Sequence, residues 1–65
     1  MRDSYKAIRE WRRFERLFPE LYHKMGLVKV DCQINDHLEA AYDIKRVERL
    51  IRQCKEAICK VEAEI

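Results

Sequence analysis

The chain has 65 residues, of which 48% are hydrophobic and 40% are charged, with a single glycine and a single proline. This composition is typical of a helical or coiled-coil protein and excludes an intrinsically disordered one. The formal net charge of +2 is too small by itself to indicate a polyanionic partner. No run of about 18 apolar residues occurs, so the sequence predicts no membrane-spanning helix.

So short a chain forms one domain at most, and its own core rarely contributes more than about 3 to 5 kcal/mol. We therefore expect additional support from a disulfide, a bound metal or a second copy of the chain. The three cysteines, with no Cys-x-x-Cys pair and no N-terminal signal-like segment, predict free thiols and a cytoplasmic protein.

Neither a disulfide nor a metal site fits the cysteine and histidine spacing. Cys54 and Cys59 would point about 140° apart on one helix, so they cannot pair within it. Cys32, His23 and His37 match no zinc-binding spacing. The sequence therefore predicts no metal and no cofactor, and a second copy is the support that remains.

The first predicted helix covers residues 4–25, with Ser4 as its N-cap and Gly26 as its stop. Its apolar side chains recur at spacings of three and four, which places them in one stripe. They are Ala7, Trp11, Phe14, Phe18, Leu21, Tyr22 and Met25. We expect this stripe to pack against a second helix, with Trp11, Phe14 and Phe18 holding the two together.

The opposite side of this helix is basic. Its candidate nucleic-acid-binding residues are Arg2, Tyr5, Lys6, Arg9, Arg12, Arg13 and Arg16. A row of arginines along one helix side matches the spacing of phosphates or a groove edge in DNA. The same row is equally typical of the solvated side of an amphipathic helix.

Pro19 interrupts the backbone hydrogen bonding of this helix because it has no N–H to donate to Glu15. One interpretation is a kinked or locally broken helix, which the unbroken apolar stripe favours. The other is two separate helices, the second beginning at Pro19 with Glu20 in its first turn.

Residues 26–35 are predicted to form the connector, and the second helix covers residues 36–65. Asp36 and Glu39 resemble a capping box at its start. The apolar positions change direction near Tyr42 and Asp43. Either a new N-cap forms at Asp43, or one helix touches two surfaces. The predicted fold is an all-α helical hairpin in one domain, residues 1–65.

The second helix carries a strongly apolar C-terminal stripe. Its candidate interface residues are Val47, Leu50, Ile51, Cys54, Ile58, Val61 and Ile65. A first helix ending at residue 25 would face the second helix only as far as about residue 57, leaving Ile58, Val61 and Ile65 uncovered. We therefore predict a homodimer in which two hairpins form a four-helix bundle.

The sequence has no Gly-rich phosphate loop, nucleophile elbow or helical zinc motif, so we expect no enzymatic activity. The favoured function is a small helical regulator or adaptor that acts by homo-oligomerisation and protein–protein interaction. The alternative is a DNA-binding regulatory protein that uses the basic side of the first helix. A third hypothesis, an interfacial membrane helix, is disfavoured because it needs the aromatic residues that would form the hairpin core. The sequence names no protein partner.

Overall fold

The computed structural model describes residues 4–65, which form two long helices. Helix α1 spans Ser4–Gln33 and helix α2 spans His37–Glu64. They pack side by side as a helical hairpin with Cα extents of 53 × 14 × 10 Å. This confirms the predicted all-α hairpin. Residues 1–3, which include Arg2, lie outside the described residues. The side chain of Ser4, the predicted N-cap of α1, also lies outside them.

A tight turn reverses the chain between the helices. Asn35 has a φ of 59°, in the left-handed region that asparagine tolerates better than most residues. The N–H of Asp36 donates to the carbonyl of Asp31 at 2.8 Å, which satisfies one of the last carbonyls of α1. Residues 34–36 are therefore the whole connector.

The predicted cap of the second helix is confirmed. Asp36 is the N-cap of α2, and its side chain accepts a hydrogen bond from the N–H of Glu39 at 3.2 Å. This bond satisfies one of the first N–H groups of the helix, none of which has a partner inside it.

The predicted stop at Gly26 is wrong. α1 continues to Gln33, and no glycine in the described chain has a positive φ. The continuation is favoured because Leu27 and Val28, assigned to the connector by sequence, become half-buried as part of the helix. Asn35 then supplies the left-handed residue that Gly26 was expected to supply.

Both helices are continuous where the sequence left alternatives open. Pro19 lies inside α1, so the interpretation with a second helix beginning at Pro19 is wrong, while a kink there stays a prediction. α2 is likewise continuous past Tyr42, and Asp43 is not an N-cap. Instead, the Asp43 side chain is buried against α1, with 6% of its surface exposed.

A seam of residues spaced alternately by three and four joins the helices. α2 contributes a row of buried or half-buried positions, namely Ala40, Asp43, Val47, Leu50, Cys54, Ala57, Val61 and Glu64. The matching row of α1 is Glu10, Phe14, Leu17, Leu21, Lys24, Val28 and Asp31. This seven-residue repeat is the pattern of a coiled coil. Its centre is the cluster of Leu21, Leu50 and Cys54.

The prediction that α1 leaves Ile58 and Val61 uncovered is wrong, because both residues are half-buried. The reason is that α1 has 30 residues and α2 has 28, so the two helices cover one another along nearly their whole length. Only Ile65, at the end of the chain, is largely exposed, at 79%. Helix lengths therefore no longer require a second copy.

Candidate interaction surfaces

The seam divides the hairpin into two flanks of different chemistry. On one flank, three residues of α1 and three of α2, each seven positions apart, follow the seam directly. They are Trp11, Phe18 and Met25 of α1 and Ile44, Ile51 and Ile58 of α2, and together we call them the apolar flank. A spacing of seven keeps each row on one side of a coiled coil.

The two rows of the apolar flank are matched in height. Counted from Asn35 at the tip of the turn, Phe18 is 17 residues away along α1 and Ile51 is 16 residues away along α2. The same count pairs Met25 with Ile44, and Trp11 with Ile58, each to within one residue. Because the helices rise equally, about 1.5 Å per residue, the six side chains form one continuous surface.

Most of these side chains are half in water. Trp11 is 45% exposed, Phe18 is 49% exposed and Ile51 is 42% exposed. The aromatic rings are nevertheless held in place, because Phe14 in the seam contacts both Trp11 and Phe18 with ring centroids 5.0 and 5.8 Å apart. A contiguous apolar surface of this kind is a candidate interaction site.

The total surface of the hairpin is large for its mass. It exposes 5427 Å², whereas a folded monomer of 8.0 kDa is expected to expose about 4,450 Å². The excess is therefore about 1,000 Å². This excess arises because two helices alone can each cover only one side of the other.

Charged and polar residues border the apolar flank on both helices. On α1 the border consists of Glu15, Tyr22 and Lys29. On α2 it consists of Glu48, Lys55 and Glu62. Polar borders around an apolar centre are the usual anatomy of a protein–protein interface.

The other flank is positively charged. It carries seven basic residues, namely Lys6, Arg9, Arg13 and Arg16 of α1 and Arg46, Arg49 and Lys60 of α2, and we call it the cationic flank. Three acidic side chains partly neutralise it. Glu20 accepts from Arg46 at 2.7 Å, and Glu10 accepts from Arg13 at 3.5 Å. Glu56 lies 3.5 Å from Lys60 and 3.9 Å from Arg13.

The helices bring these cations together in shallow grooves. One groove, of about 260 Å³, is lined by Lys24 from α1 and by Tyr42, Lys45, Arg46 and Arg49 from α2. A second groove, near the open end of the hairpin, brings Lys6 and Arg9 close to Lys60, with Glu10 and Glu64 also in its lining. The cationic surface therefore belongs to both helices.

The structure places the predicted nucleic-acid-binding residues at several locations. Lys6, Arg9, Arg13 and Arg16 lie on the cationic flank, while Arg2 is outside the described residues. Tyr5 is exposed, and Arg12 lines an outer groove of α1 beside Glu15. The contribution of Arg46, Arg49 and Lys60 is missed by sequence reasoning, although their phase relative to the seam is readable in the sequence.

The predicted interface residues also separate into two groups. Leu50 and Cys54 are buried against α1, and Val47 and Val61 are half-buried in the same seam, so α1 of the same chain covers them. Ile51 and Ile58 lie on the apolar flank, and Ile65 continues their row. The last three remain candidates for contact with another molecule.

Two carboxyl groups meet at the turn end of the seam. Asp31 is hydrogen bonded to the buried Asp43, and this bond raises the pKa of Asp31 to about 6. Burial and the negative charges of Asp43, Asp36 and Glu39 act in the same direction. Since a hydrogen bond between two carboxyl groups requires a proton on one of them, Asp31 keeps its proton to a higher pH than an isolated aspartate does.

The cysteines are all free thiols in the described chain, with Cys54 buried and Cys32 and Cys59 exposed. Burial raises the pKa of the Cys54 thiol, which therefore acts as a small apolar side chain. Within residues 4–65, no cluster of three or more histidine, cysteine or acidic side chains is arranged to hold a metal ion. Neither α1 nor α2 is apolar enough over its length to cross a membrane.

The chain matches no protein family, no curated protein and no solved structure.

Proposed function

We propose that the protein is a small non-enzymatic helical module that acts by binding other helices through its apolar flank. Its function is that of a regulator or adaptor, through homo-oligomerisation and protein–protein interaction. The observation that supports this is the surface formed by Trp11, Phe18, Met25, Ile44 and Ile51, which are all exposed, together with the half-buried Ile58. A helical groove of this kind fits an amphipathic helix.

A four-helix bundle is the assembly that best covers this surface. Two hairpins stacked flank to flank would bury both apolar rows and leave both cationic flanks in water. Pro19 suits such an assembly because it lies on the exposed side of α1, where the unpaired carbonyl of Glu15 can bond to water. We expect a bend there to curve α1 toward the core.

The proposal is tested by placing a charge on the apolar flank. Replacing Ile51→Asp should weaken self-association at least tenfold, because a buried unpaired carboxylate has a high desolvation cost. The matched control is Leu38→Asp on the same helix, where the side chain is already 87% exposed and lies off the flank. Sedimentation velocity and equilibrium at micromolar concentrations give the masses, with circular dichroism to confirm helicity.

Two results would contradict the proposal. One is a helical wild-type protein that sediments as a monomer over the whole concentration range and binds no amphipathic helical peptide. The other is equal weakening by Leu38→Asp and Ile51→Asp, which would show that the flank has no special role.

A second candidate function is binding of nucleic acid, which the cationic flank supports. The seven basic residues of this flank and their three acidic partners, Glu10, Glu20 and Glu56, have a net charge of +4. Contact with about five phosphates should make the logarithm of affinity fall with the logarithm of salt concentration at a slope near −4 to −5.

Charge reversal separates this candidate from a merely solvated surface. The pair Arg9→Glu with Arg49→Glu should abolish retention on DNA or heparin. The matched control, Arg12→Glu with Arg52→Glu, makes the same change in net charge on the outer sides of the two helices. Equal losses for the two pairs would mean that only net charge matters, and the candidate would be rejected.

A further inference from the structure

We infer that the occupant of the apolar flank is the same flank of a second copy, bound antiparallel, with a two-fold axis level with Phe18 and Ile51. The two turns then lie at opposite ends of an all-antiparallel four-helix bundle. This inference rests on the self-association proposed above and adds its partner, orientation and register.

The isoleucine row is symmetric about the proposed axis. Ile44 and Ile58 lie seven residues on either side of Ile51. An antiparallel two-fold axis therefore places Ile51 opposite Ile51 of the partner subunit, and Ile44 opposite Ile58 of the partner subunit. Each isologous contact of this kind occurs twice or lies on the axis.

The α1 row has the same symmetry and the same centre. Trp11 and Met25 lie seven residues on either side of Phe18. The axis places Phe18 opposite Phe18 of the partner subunit, and Trp11 opposite Met25 of the partner subunit. The second pair is favourable because a flexible thioether packs well on an aromatic ring.

The charges of the polar border also pair across this axis. The midpoint between Glu48 and Lys55 lies within one residue of Ile51, so Glu48 of each copy faces Lys55 of the other copy. On α1, Glu15 faces Tyr22 of the partner subunit, whose hydroxyl can donate to the carboxylate. The two copies of Glu48 are about 10 Å farther apart along the helix direction than Glu48 and the facing Lys55, and so are the two copies of Lys55.

Charge along the hairpin favours the antiparallel orientation over its alternative. Residues 29–43, at the turn end, contain one lysine and four acidic residues, a net charge of −3. Residues 5–16 and 54–65, at the open end, contain seven basic and five acidic residues, a net charge of +2. Antiparallel copies place each turn end beside the open end of the other copy, whereas parallel copies place like charges together.

The area available is what such a dimer needs. The hairpin exposes 5427 Å², about 1,000 Å² more than expected for its mass. A standard stable interface buries about 800 Å² per partner. An interface of that standard size on this flank would remove most of that excess.

The test exchanges the border charges. Glu48→Lys alone and Lys55→Glu alone each place like charges opposite one another twice, so each homodimer should weaken several-fold. Mixed together, the two variants restore both opposite-charge pairs, so heterodimers should be favoured by about fivefold or more. The double variant carrying both changes should dimerise like the wild type, which controls for folding.

The alternative two-fold arrangement, with both turns at the same end, predicts a different result. There Lys55 faces Glu15 of the partner subunit and Glu48 faces Tyr22, so mixing the variants relieves nothing. The measurement is capture of untagged Lys55→Glu by tagged Glu48→Lys after the two are refolded together, set against the random fraction of one half.

Each outcome decides the inference. Preferential heterodimers with a wild-type-like double variant support it. Random pairing of dimeric variants overturns this register but leaves self-association through the flank intact. A wild type that is monomeric at every concentration, or that binds only helices of another protein, overturns the second copy as occupant.

Discussion

The middle of the hairpin and its turn end share one geometry and differ in chemistry. In the middle, the seam holds Leu21, Leu50 and Cys54, which are buried and apolar. At the turn end, equivalent seam positions hold Asp31 and the buried Asp43, whose hydrogen bond with Asp31 raises the pKa of Asp31. The repeat of the seam thus sets the path of the chain, while the residue types decide where the stability resides.

The polar turn end has a structural use as well as a cost. A carboxyl pair in an otherwise apolar seam is best satisfied in one register, as a buried polar residue is in other coiled coils. Together with Asn35 and the cap at Asp36, it fixes where the chain reverses. The matched heights of Phe18 and Ile51 on the apolar flank follow from that register.

The largest effect is expected in the middle. Leu50 is 1% exposed and is the only large side chain fully buried in the described chain. Leu50→Ala should lower the free energy of unfolding by about 2 to 5 kcal/mol, which approaches the whole stability expected for a domain of this size. Urea denaturation followed by circular dichroism at fixed protein concentration measures it.

The matched control for this prediction is Leu38→Ala on the same helix. Leu38 is exposed and alanine is the better helix former, so the change should be close to neutral. If Leu50→Ala were as mild as this control, the seam would not be the source of stability in the middle of the hairpin.

The middle is largely predictable from sequence, and the turn end only in part. Apolar spacings of three and four identify α1 as amphipathic, and the capping-box pattern of Asp36 and Glu39 identifies the start of α2. Gly26 was expected to end α1, because glycine is the commonest left-handed residue at helix ends. Tertiary burial of Val28 and Asp31 against α2 instead carried the helix on to Gln33.

The same error hid the candidate surfaces. A first helix that ends at residue 25 leaves Ile58 and Val61 uncovered and places Leu50 with Ile51 in one wide apolar stripe. The strict repeat of Ala40, Asp43 and Val47 shows that the seam passes through an aspartate, which a search for apolar positions alone rejects. Accepting polar seam residues would have separated the isoleucine row from the seam.

The second prediction is that the turn end, through Asp31, makes the free energy of unfolding depend on pH. Because the pKa of Asp31 is raised from 3.8 to about 6, the folded state holds a proton that the unfolded chain has lost. This contribution to stability is fully present below about pH 4 and is lost as the pH rises through about 6. Asp31→Asn, which cannot ionise, should be more stable than the wild type at pH 7 to 8 and should remove this part of the slope.

Chemical denaturation from pH 4 to pH 8 measures the difference between the variant and the wild type at each pH. Glu62→Gln, at an exposed position of α2, controls for the loss of one carboxylate. A difference between Asp31→Asn and the wild type that stayed constant over this range would show that Asp31 does not titrate in it. The middle of the hairpin should contribute no pH dependence of the free energy of unfolding, since Leu21 and Leu50 do not ionise.

The smallest effect tests whether the turn end is helical on the α1 side. Gly26 lies inside α1 without a positive φ, and a Cβ added there would meet no other atom within 4 Å. Gly26→Ala should therefore raise the free energy of unfolding by about 0.5 to 1 kcal/mol, because alanine loses less conformational freedom in a helix. A helix that stopped at a left-handed Gly26 would instead be destabilised by the same change, since alanine is strained in that conformation. The sign of the shift in the urea midpoint thus decides whether α1 continues past Gly26 to Gln33, which is the helix that brings Asp31 to Asp43.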